Sequence, residues 1–151
     1  MRILIIGNGG REHAIGWKIA QSPRVSKLYF ASGNGGTREL GENVPIDQKD
    51  VRGLYDFAYR QKIDLTIVGP EDALTAGLVD FFQKRDLPIF GPSRMAARIE
   101  SWKPFAKRLM RNVGIPTAPF RVFRNQNQAR YFIRTHGIPI VIKAAGLAGG
   151  K

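Results

Sequence analysis

The first ninety residues alternate short apolar runs with stretches of helical periodicity, and the two periods rarely overlap. Ile3 to Ile6 form an unbroken apolar run, as expected of a parallel strand covered on both faces. Similar runs predict strands at Arg2–Ile6, Lys27–Ala31, Leu65–Val68 and Pro88–Phe90. Between them, helical spacing predicts helices over about Arg11–Gln21, Val51–Gln61 and Ala73–Lys84. Leu54, Phe57 and Ala58 share one face of the second helix, and Leu78, Val79 and Phe82 share one face of the third. Strands alternating with helices through short connections give an α/β fold with a doubly wound parallel sheet. In such sheets ligands sit beyond the carboxyl ends of the strands. Here those ends carry Gly7–Gly10, Ser32–Thr37, Gly69-Pro70-Glu71 and Gly91-Pro92-Ser93, all rich in turn-forming residues and expected along one edge.

After Pro92 the texture changes. Arg94–Glu100 reads as helix, Ser101 as the cap of a second helix, and Pro104 as a residue tolerated only near that helix's start. This second helix runs to about Val113 and stops at Gly114. A strand near Phe120–Phe123, a helix near Gln126–Thr135 and a strand at Pro139–Lys143 follow. The expected organisation is an α/β domain over 1–92, a basic helical linker over 93–116, and the start of another domain over 117–151.

Charge follows the same division. Of a net +12, residues 1–92 hold 12 Lys and Arg against 11 Asp and Glu, whereas residues 93–151 hold 12 against Glu100 alone. So lopsided a balance points to two units with different partners: nucleotide phosphates, nucleic acid or an acidic segment. Nucleic acid is disfavoured because the cations are not interleaved with an aromatic stacking platform. The chain has no cysteine, which removes disulfides and thiolate metal sites and suits a cytoplasmic setting. No apolar run approaches the roughly 18 residues of a membrane span, and no membrane partner is expected.

Gly7-Asn8-Gly9-Gly10, set between a strand and a helix, leaves backbone N–H groups free at a helix N-terminus, a site suited to phosphate or carboxylate. The pattern is close to a dinucleotide fingerprint but departs from it twice. Glu12 stands where the third glycine belongs, and the second strand runs into another glycine loop, Gly33–Thr37, where a ribose-binding acid is expected. Two glycine loops favour a phosphorylated small molecule over NAD. Arg11 is unfavourable for the helix dipole unless an anion accompanies it. Glu71 could accept hydrogen bonds from hydroxyls or an amine, or serve as a first-turn acid of its helix. His13 reads as a packed histidine.

The last nine residues, Lys143-Ala144-Ala145-Gly146-Leu147-Ala148-Gly149-Gly150-Lys151, deliver a lysine and then a glycine loop ending in a second lysine. Such loops fold N–H groups over phosphates while lysine adds a mobile charge. No hydroxyl follows Lys151, so this is not a P-loop.

Taken together, Gly7–Ala14, Gly33-Asn34-x-Gly36-Thr37, Asp64–Glu71, Ile89–Pro92, Lys103–Lys107 and Ile140–Lys151 resemble the N-terminal portion of the phosphoribosylamine–glycine ligase (glycinamide ribonucleotide synthetase) family of the ATP-grasp superfamily. The resemblance implies a pre-ATP-grasp α/β substrate-binding domain followed by an incomplete ATP-grasp nucleotide-binding domain. It implies ATP-dependent ligation of glycine to 5-phosphoribosylamine in purine biosynthesis. Gly9, Gly10, Arg11, Glu12, Asn34, Gly36, Thr37 and Glu71 would bind substrate, and Lys103, Lys143, Gly146, Gly150 and Lys151 would bind ATP. No catalytic or metal-binding residue is assigned within the chain, and ligands for Mg or Mn are expected outside it. A C-terminal ATP-grasp portion, in cis or trans, would complete the site, so the segment is expected to be inactive alone. The alternative is a truncated, non-catalytic sugar-phosphate or nucleotide-binding module. Ala145 stands where the family has Asp, Gly149 where it usually has Ala, Trp102 where it has Ser, and Ser32 where it has Pro. Because the fingerprint is broken at Glu12 and Gly33, a fluorescence titration with NADH is expected to show no tight binding.

Overall fold

A computed structural model of the chain describes residues 1–148. It divides into two compact units, Met1–Ala97 and Arg98–Lys151. No helix among the described residues is long and apolar enough to cross a membrane.

The first unit is built on five parallel strands: β1 (Arg2–Gly7), β2 (Lys27–Ser32), β3 (Glu42–Val44), β4 (Leu65–Val68) and β5 (Ile89–Phe90), in the order β3-β2-β1-β4-β5. Its helices are α1 (Gly10–Ala20), α2 (Val51–Arg60), α3 (Glu71–Ala76), α4 (Leu78–Gln83) and α5 (Arg94–Ser101), the last of which contains the division between units. Alternation along β1 separates two cores. Leu4 and Ile6 join Leu54, Ala58, Leu78, Val79 and Phe82, whereas Ile3 and Ile5 join Leu28 and Phe30, with Ile15 and Ile19 of α1 packed against them. The sheet is therefore covered on both faces, which is why its central strand tolerates four consecutive branched apolar residues.

Two local features of this unit depart from the sequence expectation. The helix expected over Ala73–Lys84 is split at Gly77, whose φ of 88° is left-handed and caps α3 before α4 begins. A third, very short strand, Glu42–Val44, pairs with β2 and is preceded by a 3₁₀ turn at Gly36–Glu39. Three residues are too few to display a period of two, so this strand carries no readable signature.

The second unit holds α6 (Lys103–Asn112) and α7 (Gln126–His136). Trp102, not Ser101, is the N-cap of α6; Ser101 ends α5, and Pro104 lies in the first turn of α6 where its missing N–H costs nothing. Asn125 caps α7 by accepting from the N–H groups of Asn127 and Gln128. The strands expected at Phe120–Phe123 and Pro139–Lys143 are absent among the described residues: both segments are irregular. An extended segment becomes a strand only when a neighbour accepts and donates along a ladder, and neither segment has such a neighbour here. Within this unit Arg98 lies over the rings of Phe105 and Trp102, and Arg121 over Phe132, so part of the positive charge is spent on aromatic faces.

Gly16 of α1 sits against Phe30 of β2. A Cβ there would lie 2.5 Å from Cζ of the fully buried Phe30. An alanine gains roughly 1 kcal/mol of helix propensity, but overpacking of this kind costs about 1–3 kcal/mol. Gly16→Ala is therefore expected to destabilise the chain in urea unfolding. Gly10→Ala, where the same methyl would meet nothing within 4 Å, is expected to be neutral or slightly stabilising.

Candidate functional site

All five strands run the same way, so their carboxyl ends share one edge. The chain leaves β1 toward β2 on one side and later returns to β4 on the other. The crevice between the β1 and β4 exits is thus the topological switch point, where open α/β sheets bind ligands. Three loops meet there: Gly7–Gly10 after β1, Gly33–Thr37 after β2, and Gly69–Glu71 after β4.

Backbone bonds tie the three together. The Gly33 N–H donates to the Gly7 carbonyl at 3.1 Å, and the Gly69 N–H to the Ile6 carbonyl at 3.2 Å. Side chains add cross-links. Arg11 Nη1 donates to the Gly69 carbonyl at 2.6 Å, spanning the crevice from α1 to the β4 exit. Asn34 Nδ2 donates to the Asn8 carbonyl at 2.9 Å, joining the β2 loop to the β1 loop.

Glu12 is 4% exposed, unusual for a carboxylate. Its Oε2 accepts the Gly9 N–H at 2.7 Å, reaching back over the first turn of α1. The side chain lies beneath the loops: a Cβ on Gly7 would come within 2.6 Å of Glu12 Cγ, and one on Gly69 within 2.0 Å of Glu12 Oε1. Where a dinucleotide fingerprint places a glycine to bring helix and strand together, this chain places a carboxylate that fills the gap. The N–H groups of Gly10 and Arg11, in the first turn of α1, have no intrahelical acceptor.

The Gly33–Thr37 loop is held internally. Thr37 is fully buried; its Oγ1 accepts the Asn34 N–H at 2.7 Å and donates to Asn43 Oδ1 at 2.8 Å, while its N–H donates to Asn34 Oδ1 at 3.1 Å. Asn43 Nδ2 in turn donates to the Asn34 carbonyl at 2.7 Å. Gly33, with φ 72°, turns directly above Asn43, where a Cβ would stand 2.2 Å from Oδ1. Asn43 is a residue that sequence reasoning missed, because its strand is too short to be seen. The His13 ring packs against Gly36, its Nε2 3.2 Å from where a Cβ would be.

Glu71 is the first residue of α3 and half-buried, with no ion pair or hydrogen bond from its side chain among the described residues. Its neighbour Asp72 pairs with Lys49 at 3.1 Å. Gly9, Gly10, Arg11, Glu12, Asn34, Gly36, Thr37 and Glu71 therefore all lie in the loops that follow β1, β2 and β4 or in the first helical turn after them.

In the second unit the Lys103 N–H donates to the Ala145 carbonyl at 2.9 Å, and its Nζ to the Gly146 carbonyl at 3.3 Å. Lys103 and Gly146 are thus brought together although 43 residues apart. Lys143 is exposed. Gly150 and Lys151 lie outside the described residues. Among the described residues no group of three His, Cys, Asp or Glu side chains is close enough to hold a metal ion.

Comparison with known proteins matches this architecture to one family. The sequence model of the phosphoribosylglycinamide synthetase N domain matches residues 1–100, and that of the ATP-grasp (A) domain of the same synthetase matches residues 101–151. Phosphoribosylamine–glycine ligase of Allochromatium vinosum is 52% identical over 153 aligned residues, covering 100% of this chain and 36% of the relative. That of Halalkalibacterium halodurans is 48% identical, covering 100% of this chain and 35% of the relative. The crystal structure of phosphoribosylamine–glycine ligase from Thermotoga maritima superposes with a TM-score of 0.75 at 34% identity, over 100% of this chain and 34% of that one. The biotin carboxylase domain of Hydrogenobacter thermophilus 2-oxoglutarate carboxylase, solved with MgADP and bicarbonate, shares the fold with a TM-score of 0.73 at 13% identity. The chain spans roughly a third of the length of the curated relatives it matches. With its glycine-loop edge, its N-domain match over the first hundred residues and its identity to these ligases, the chain belongs to the phosphoribosylglycinamide synthetase family.

Proposed function

We propose that this chain supplies the sugar-phosphate side and the beginning of the nucleotide side of an ATP-dependent ligation of glycine to 5-phosphoribosylamine in purine biosynthesis, in the cytoplasm. The observation that carries this reading is the meeting of three loops at the switch point, tied by backbone bonds and by Arg11 reaching the Gly69 carbonyl, with Glu71 making no side-chain bond among the described residues. The names of the relatives supply the substrate class.

In this proposal the N–H groups of Gly10 and Arg11 and the remaining guanidinium N–H groups of Arg11 receive the phosphate. Charge-assisted bonds of this kind are about twice as strong as neutral ones. Glu71, unpaired and at the end of β4, accepts from the sugar hydroxyls or holds the amine that will act as nucleophile. Gly9, Asn34, Gly36 and Thr37 shape the wall between the β1 and β2 loops; Thr37 does so from beneath, since it is fully buried. Glu12 acts from beneath as well, its Oε2 already engaged by Gly9.

ATP bound to this family supplies the phosphoryl group that activates the glycine carboxylate. Lys103, whose Nζ rests on the Gly146 carbonyl at 3.3 Å, would turn that ammonium to phosphate oxygens, and Lys143 would add a further charge. The residues do not fit Mg²⁺: residues 93–151 contain the single carboxylate Glu100, and hard divalent cations need several oxygen ligands. No step of the reaction is therefore assigned to this chain's own residues, and binding and orientation are its part, the metal ligands and the closing wall belonging to a C-terminal ATP-grasp portion in cis or trans.

Ribose 5-phosphate, a stable stand-in for the sugar phosphate, tests the first half. Titration followed by amide chemical shifts is expected to perturb Gly9–Arg11, Asn34–Thr37 and Glu71, and perturbations confined to the opposite sheet edge would overturn the reading. Arg11→Ala should weaken binding by about 1 kcal/mol or more, the loss of a charge-assisted bond. Asn43→Ala should lower stability by about 1–2 kcal/mol in urea unfolding, because the buried Thr37 hydroxyl and the Asn34 carbonyl lose their partner.

Calorimetry with ATP tests the second half. Cations without opposing carboxylates give binding that is weak, falls steeply with salt and gains little from magnesium. Micromolar, magnesium-dependent binding by this chain would show a nucleotide site complete without further domains.

A further inference from the structure

Gly69 presents a puzzle that its backbone does not explain. Its φ is not in the left-handed region, which among the described glycines is taken by Gly7, Gly33, Gly77, Gly114 and Gly137. An alanine could adopt the same backbone without strain. What forbids a side chain is Glu12: its Oε1, Cδ and Cγ are the three atoms nearest to a Cβ built on Gly69, at 2.0, 2.6 and 2.7 Å. The same carboxylate also underlies Gly7, whose Cβ would stand 2.6 Å from Cγ, and Gly9, whose Cβ would stand 2.9 Å from Oε2. Three glycines from two different strand exits thus close on one buried side chain.

We propose that Glu12 is a positioning residue that sets the width of the switch-point crevice and, by bearing on Gly69, fixes where Pro70–Glu71 begins. The Gly9 N–H holds the carboxylate from the β1 side at 2.7 Å. From outside, the adjacent Arg11 holds the Gly69 carbonyl at 2.6 Å. The β4 exit is gripped between the two: the carboxylate prevents it from collapsing onto β1, and the guanidinium prevents it from moving away. Glu71 follows two residues later, and its own side chain has no bond among the described residues to hold it, so its placement depends on this grip. The consequence for binding rests on the sugar-phosphate reading above; the mechanical part does not.

The test is a double-mutant cycle on the 151-residue chain: Glu12→Ala, Gly69→Ala and the pair, with Glu12→Gln as the conservative variant. Gly69→Ala alone is expected to lower Tm by about 5 °C or more, as overpacking does in a domain of this size. In the Glu12→Ala background the same methyl enters vacated space, and the further change should be under about 2 °C. Glu12→Ala should shift the amide resonance of Glu71 and weaken ribose 5-phosphate about tenfold. Glu12→Gln fills the same volume and still accepts from Gly9, so it should leave both near wild type. If Glu12→Ala does not fold, Glu12→Asp, one methylene shorter, takes its place in the cycle. Equal Tm losses for Gly69→Ala in the two backgrounds, or a Glu71 amide unmoved when Glu12 is shortened, would overturn the proposal. Failure of the wild-type chain to bind ribose 5-phosphate would overturn the sugar-phosphate reading alone, since the Tm cycle and the Glu71 amide decide the grip without ligand.

Discussion

The first unit depends on β1 being the middle of the sheet. A strand hydrogen-bonded on both sides and covered on both faces must spend every residue on burial, and Ile3 to Ile6 do so, two on each face. Parallel pairing on both sides then forces the exits of β1, β2 and β4 to one edge. Because β2 and β4 leave in opposite senses, a crevice opens beside β1 whatever the loops contain. Loop chemistry is therefore free to specialise while the core stays apolar.

What the loops have specialised in is close approach. Glycines at 7, 9, 33 and 69 leave room for two polar side chains beneath them: Glu12 under the β1 and β4 exits, Asn43 under the β2 exit. A buried carboxylate or amide is costly unless its lone pairs and N–H groups are used. Here Glu12 accepts the Gly9 N–H, and the half-buried Asn43 joins the Thr37 hydroxyl to the Asn34 carbonyl, which fixes the loop shape.

The second unit is arranged on different terms. Only Pro104 and Ala106 of α6 are buried, and no residue of α7 is. Ile138, Val141 and Ile142 are exposed in a segment whose apolar run reads as a strand. Its order comes from local devices instead: the Asn125 cap, the Phe132 ring stacked on His136 and tilted against Phe123, and Lys107 bonded to Thr117 and Ala118.

Residue patterning by itself determined the strand–helix alternation, the parallel sheet, the glycine loops and the resemblance to a ligase family. Each of these rests on local periodicity or on short motifs, which survive without knowledge of neighbours. Tertiary structure decided the rest. Glu42–Val44 is a strand because Tyr29 to Ala31 accept it as a partner, not because three residues announce it. Phe120–Phe123 and Pro139–Lys143 have strand-like composition but no ladder, so composition alone misplaced them. The helix over residues 73–84 breaks because Gly77 takes a left-handed φ, a choice that amphipathic spacing does not reveal. Most of all, Glu12 read as an interruption of a glycine motif. Only in three dimensions does its carboxylate stand against Gly69, 57 residues away in sequence, because helix start and strand exit are brought together by the sheet and by nothing in their own sequences.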